Sequence, residues 1–222
     1  MDGPPADPDR QLVMQFMTTE HFTLQTARAV ANAEISARLQ LYMTTVSSAI
    51  ISLALVAQVS GELGRAFVAF ALVLLPVVYF LGISTLARVM QASNEWRVYG
   101  QGMNRIRHWY LEVAPDMAPY FVLPATDDPW ASLAAVGIRG QSRLRGIFTT
   151  APWIVVVVNS VLAGVVVGLL ASAAGASGLV VLGLAAAGGF LLSLVVLSTL
   201  EQRAFRRDME AAPVAFSPRT DR

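Results

Sequence analysis

The chain has no cysteine among its 222 residues. Disulfides, thiolate metal sites and iron–sulfur clusters are therefore excluded. It has no lysine either; all 16 basic residues are arginine, a bias that reflects a GC-rich genome rather than a function. Charge of either sign is scarce, at 14% of residues against 55% hydrophobic, which is a membrane composition. A net charge of +1 gives no global attraction to nucleic acid. Missing too are the HExxH, GxSxG and Walker patterns, so no catalytic residue, metal site or cofactor is expected, and the chain reads as non-enzymatic. No secretory signal is read in Met1–Arg10, which is rich in Pro and Asp.

What is present is apolar length. Gly146–Leu200 runs for 55 residues without a charged side chain, too long for one membrane crossing and right for two. It breaks at Ala173-Ala174-Gly175-Ala176-Ser177-Gly178, where small residues reverse the backbone cheaply. The two halves, 150–172 and 179–200, each make a helix that spans a hydrocarbon core of ~30 Å at ~1.5 Å per residue. Two further spans are expected at 42–61 and 66–87. The spacing predicts an all-α integral membrane protein with four transmembrane helices in two hairpins and a cytoplasmic helical bundle. Residues 1–18 are expected to be disordered, 19–41 an amphipathic helix, 88–145 the central helical segment and 201–222 an unstructured tail.

No Asp, Glu, Arg or His lies within any span, which argues against proton-coupled transporters, pumps and voltage sensors. A pore lined by hydroxyls and backbone stays open. Thr44, Ser48 and Ser52 recur every fourth residue in the first span, either as a close-packing stripe or as a wall facing water. Asn159 is the most polar side chain deep in an apolar span, readable as one interhelical hydrogen bond or as part of a pathway. Pro76 removes a ladder hydrogen bond from the second span and makes it a hinge candidate. Ser160, Gly164, Gly168 and Ser172 form a small-residue face on the third span, and Ala185, Gly189 and Ser193 repeat it on the fourth.

Outside the spans, Leu24, Ala27, Ala31, Ile35, Leu39 and Tyr42 share one helical face. The second span continues outward as a helix to about Glu112 with a heptad stripe of Val89, Ala92, Trp96, Tyr99, Met103, Ile106 and Tyr110. These two faces are expected to pack together, within a subunit or between subunits. Asp127-Asp128-Pro129 reads as a cap that opens a short helix ending at Gly137. His108 and Glu112 stand at i, i+4 and read as a helix-surface pair. A metal held by His21, His108 and Asp127/Asp128 can be drawn but has no motif behind it. Arg105, Arg107, Trp109 and Tyr110 mix basic and aromatic groups, yet Glu95, Glu112 and Asp116 dilute any nucleic-acid surface; contact with lipid or a partner protein fits better.

Arginine placement sets the orientation. Fifteen of the sixteen fall in the N-terminal, central and C-terminal segments, against Arg65 alone in the first connecting loop. Both termini and the central segment are therefore expected on the cytoplasmic side of a bacterial plasma membrane.

Glu20-His21-Phe22-Thr23-Leu24-Gln25 and Asn104-Arg105-Ile106-Arg107-His108-Trp109-Tyr110-Leu111-Glu112, together with Tyr120-Phe121 and Asp127-Asp128, carry a resemblance. The chain resembles an uncharacterised group of predicted membrane proteins from Streptomyces and related actinobacteria, over about Thr19 to Thr199. The resemblance implies a four-span bacterial plasma-membrane protein and supplies no catalytic residues. In layout alone the chain is also similar to small membrane effectors of prokaryotic defence systems. The functional expectation is an oligomeric membrane protein, self-associating in lipid and forming a channel or pore. The alternative is a membrane-anchored sensor or scaffold that recruits a soluble cytoplasmic partner.

Overall fold

A computed structural model describes residues 8–59, 64–128, 131 and 150–217. The described residues are helical apart from short connections, and no strand occurs among them. Four long helices dominate: α1 (Pro8–Val59), α2 (Arg65–Val113), α3 (Ala151–Ala173) and α4 (Leu179–Glu210), with a 3-10 helix at Pro115–Tyr120. Each of the four is long and apolar enough to cross a membrane.

Helix α1 starts at Pro8 instead of near Thr19, so 8–18 are ordered helix and not a disordered leader. The local chemistry explains the early start. Proline is pre-organised for the first helical position, Asp9 sits favourably at the positive end of the dipole, and no breaker follows. Helix α2 runs through Pro76 without interruption, with the ring on the exposed side. The expected short helix 127–137 lies outside the described residues beyond Asp128, except for Ala131. Its cap is visible: Asp128 Oδ1 accepts the Ala131 N–H at 3.1 Å, three residues on.

The chain divides into two compact units. The apolar unit comprises 34–59, 64–91 and 150–207 among the described residues. Its core takes Tyr42, Val46 and Ala49 from α1, Ala71, Leu75, Val78 and Leu86 from α2, Val155, Val156 and Leu162 from α3, and Leu197 from α4. Tyr42, Val46 and Ala49, and likewise Ala71, Leu75 and Val78, recur three or four residues apart, the spacing of one helix face. The opposite faces expose Ile50, Ile51, Leu55, Val73, Val77, Phe80, Leu184, Leu191 and Leu192. So much large apolar surface turned outward fits a surround of lipid rather than water.

Within this unit α3 and α4 pack backbone to backbone. A methyl group on Gly164 would fall 2.7 Å from the Ala186 carbonyl oxygen, and one on Gly189 would fall 2.6 Å from Val167 Cγ2. Gly168 faces Ala186 and Leu182, so the helices run antiparallel. The turn between them is a Schellman motif: Ala176 N–H donates to Ala171 O and Gly175 N–H to Ser172 O. Gly175 (φ 92°) and Gly178 (φ 103°) adopt left-handed backbone, which suits glycine alone. Gly164→Ala is expected to lower unfolding stability in detergent by about 2 kcal/mol through overpacking. Gly183→Ala and Gly188→Ala, which meet nothing within 4 Å, should leave it unchanged or slightly higher. Equal thermal shifts for all three would refute the close approach.

The polar unit comprises 8–33, 92–128 with Ala131, and 208–217 among the described residues. Here the N-terminal half of α1 packs on the C-terminal half of α2. Leu24 lies over Gly102 and Arg28 over Gly100, so the two segments run antiparallel. Within the chain, Met103 and Ile106 of the α2 face are buried and Trp96, Tyr99 and Tyr110 are half-buried.

Candidate functional site

In the apolar unit one polar circuit touches all four helices. Asn159 is fully buried on α3. It accepts from Tyr42 Oη of α1 at 2.6 Å and donates through Nδ2 to the Tyr79 carbonyl of α2 at 3.2 Å. Tyr79 Oη shares a hydrogen bond with Ser193 Oγ of α4 at 3.1 Å, and Ser160 Oγ donates to the Val156 carbonyl at 2.7 Å, with Ser193 Oγ 3.5 Å away. The absence of a side chain at Gly82 makes room for this: a methyl there would overlap Asn159 Oδ1 at 1.9 Å. Asn159 therefore faces protein groups of α1 and α2. Its amide is satisfied because Tyr42 and Gly82 sit opposite it.

The other intramembrane candidates fall differently. Thr44 and Ser48 are exposed and Ser52 half-exposed, on the side of α1 away from the Tyr42 face. Thr44 donates to the Gln40 carbonyl and Ser52 to the Ser48 carbonyl, both at 2.9 Å, the usual fate of hydroxyls in helices lacking water. Ser160, Gly164, Gly189 and Ser193 are buried in helix contacts, Gly168 and Ala185 are half-buried, and Ser172 is exposed. Ser172 lies in the last turn of α3, where its carbonyl accepts the Gly175 N–H of the turn.

The richer chemistry is in the polar unit. Arg97 is 5% exposed on α2. It donates to Asn94 Oδ1 at 2.6 Å, to Gln101 Oε1 at 3.2 Å and to the Asp208 carbonyl at 3.0 Å. Gln101 donates to the Asp127 carbonyl and Asn104 to the Thr126 carbonyl. Arg97, Gln101 and Asn104 are spaced 4 and 3 apart, so one polar stripe of α2 pins both the 126–127 segment and the start of the tail.

Asp127 is fully buried and saturated. Its carboxylate accepts from Arg105 Nε at 2.7 Å, from the Phe216 N–H at 2.7 Å and from the Ala215 N–H at 2.9 Å. Its own N–H donates to the Phe216 carbonyl at 3.1 Å. Burial alone would raise this carboxyl, but the two backbone donors and the Arg105 guanidinium outweigh it and hold it below the ordinary carboxylate range. Arg105 also donates to the Pro213 carbonyl, and Phe216 stacks on His108 at 3.9 Å between ring centroids. The tail is thus docked through 213–216 and is not unstructured. Backbone donors meeting a buried carboxylate do the docking, which no side-chain pattern announces.

His108 and Glu112 form the expected pair at 3.6 Å. With Asp127 engaged by the tail, no group of three metal-ligating side chains occurs among the described residues. Between α1, α2 and the tail lies an open cavity of about 440 Å³ whose walls include Glu20, Leu24, Arg97, Tyr99, Arg105 and Asp208.

No family model matches the chain, and no curated protein or solved structure matches it either. The functional reading rests on the side chains themselves.

Proposed function

We propose that this chain is a non-enzymatic membrane-anchored sensor or scaffold. Its polar unit, held on the cytoplasmic side by the arginine distribution, receives a soluble partner. The contrast between the two units carries this reading. In the apolar unit Tyr42, Tyr79, Asn159, Ser160 and Ser193 spend their hydrogen bonds on one another and on backbone. In the polar unit a stripe of buried polar side chains supports a cleft and a docked tail. A polar interior built around charged groups costs desolvation that a mere anchor has no need to bear.

The pore reading keeps one support, the outward Thr44/Ser48/Ser52 stripe, which a ring of copies could turn inward to line a channel. Liposomes separate the two readings. With purified protein at high density, the bilayer is expected to stay tight to ions. The same liposomes, floated through a cytoplasmic extract, are expected to retain a soluble protein that Asp127→Ala liposomes release. Ion flux abolished by Ser48→Trp, with no protein retained, would establish the pore and overturn the sensor.

A further inference from the structure

The arginines of the polar unit are unequally compensated. Arg105 has Asp127, and Arg97 has three acceptors. Arg28 and Arg107 have no carboxylate partner among the described residues. Arg107 is 7% exposed, and among the described residues its hydrogen bond goes to Asn104 Oδ1 at 2.5 Å. Arg28 lies over the Trp96 ring, its Cζ 3.8 Å from the centroid, a cation–π contact that holds the guanidinium in place. Arg28 Nε and His21 Nδ1 are both buried, and neither has a hydrogen-bond partner among the described residues.

Along α2 the two guanidiniums sit one turn apart: Arg28 lies at Trp96 and Gly100, and Arg107 folds back onto Asn104. Leu24 opposite Gly102 and Arg28 opposite Gly100 fix the antiparallel register of α1 on α2. Two turns onward, seven residues back along α1 and seven forward along α2, the same register sets His21 opposite Arg107. The electrostatics agree: burial and then the charge of Arg107 lower the pKa of His21, and burial and then the charge of Arg28 lower that of Arg107. Two guanidiniums that repel each other in a partly dry site amount to a receptor lacking its counter-charge.

We propose that His21, Arg28 and Arg107 form a binding site for a phosphate-bearing anion. Planar guanidinium forks match the spacing of phosphate oxygens and bind them bidentately, which a lone halide cannot exploit. Trp96 holds Arg28 in place for the fork, and Asn104 does the same for Arg107. This inference names the input for the sensor reading above and rests on it for significance, but the binding itself is independent. Two sources carry the same chemistry, a soluble phosphate compound and a phospholipid headgroup.

Thermal unfolding and calorimetry on the full chain distinguish them. In a zwitterionic detergent free of phosphate, inorganic phosphate is expected to raise Tm above a sodium chloride control of equal ionic strength. In the second arm, nanodiscs carrying phosphatidic acid are compared with nanodiscs of phosphatidylcholine alone. A response in the first arm assigns a soluble anion, and one in the second arm alone assigns a headgroup. Arg28→Gln and Arg107→Gln should each weaken binding at least roughly tenfold, while Arg10→Gln should not. Should either glutamine variant fail to fold, Arg28→Lys keeps the charge, loses the fork and should bind as weakly. No response in either arm, or variants that bind like the wild type, would overturn the site. Partner retention without an anion response sinks this inference and leaves the sensor reading; an anion response without retention does the reverse.

Discussion

Gly82→Ala is expected to be among the most damaging single substitutions in the chain, at about 3 kcal/mol. A methyl group there would lie 1.9 Å from Asn159 Oδ1 and 2.5 Å from its Cγ, so the amide has to move. Moving it breaks the bonds to Tyr42 Oη and the Tyr79 carbonyl, at about 1 kcal/mol each, and adds a packing cost of about 1 kcal/mol or more. Asn159→Ala alone should cost less, about 1–2 kcal/mol, because it leaves two groups unpaired without a clash. The double substitution is the decisive measurement. With the amide gone, the Gly82 methyl has room, so the pair should be more stable than the sum of the singles predicts by at least 1 kcal/mol. Additive losses in detergent unfolding would show that Gly82 and Asn159 do not meet.

Asp127→Ala should release the tail and destabilise the polar unit by about 3–5 kcal/mol, the usual result of removing one member of a buried charged network. Arg105 and the Ala215 and Phe216 N–H groups would all lose their acceptor. Asp127→Asn keeps one acceptor oxygen and should fall between. The pH dependence has a definite sign. The folded carboxyl titrates below its unfolded value of about 3.9, so its contribution is complete above that pH and disappears as pH falls through the folded value. Limited proteolysis near Val214 should therefore be slow at neutral pH and accelerate only below about pH 4. In Asp127→Ala it should be fast at every pH. A wild-type tail cleaved equally fast at pH 7 would refute the docking.

Much of the apolar unit was legible because its signals are local. The charge-free run 146–200 and the glycines at 175 and 178 mark two helices and their turn, and the Gly164/Gly168 face marks their contact. The destination of Asn159 was not legible, since Tyr42 and Tyr79 lie 117 and 80 residues away along the chain. Gly82 is silent in sequence for the same reason: its meaning is the side chain opposite it. In the polar unit hydrophobic periodicity found Met103 and Ile106 but passed over Arg97, Gln101, Asn104 and Arg107, whose burial contradicts their polarity. The 4-and-3 spacing of Arg97, Gln101 and Asn104 was the available clue. Asp127 resembled a helix cap, and Asp128 performs that role while Asp127 turns to the tail.

The circuit around Asn159 also bears on how the chain is made. On the reading that all four apolar helices cross the membrane, α3 enters lipid third, carrying a carboxamide whose acceptor and donor both belong to earlier helices. A polar group in hydrocarbon without partners costs several kcal/mol, so α3 should partition poorly when expressed alone and well once α1 and α2 are already in place. Biogenesis then acquires an order, in which the first two helices act as the docking template for the third, and Ser193 on α4 closes the circuit last.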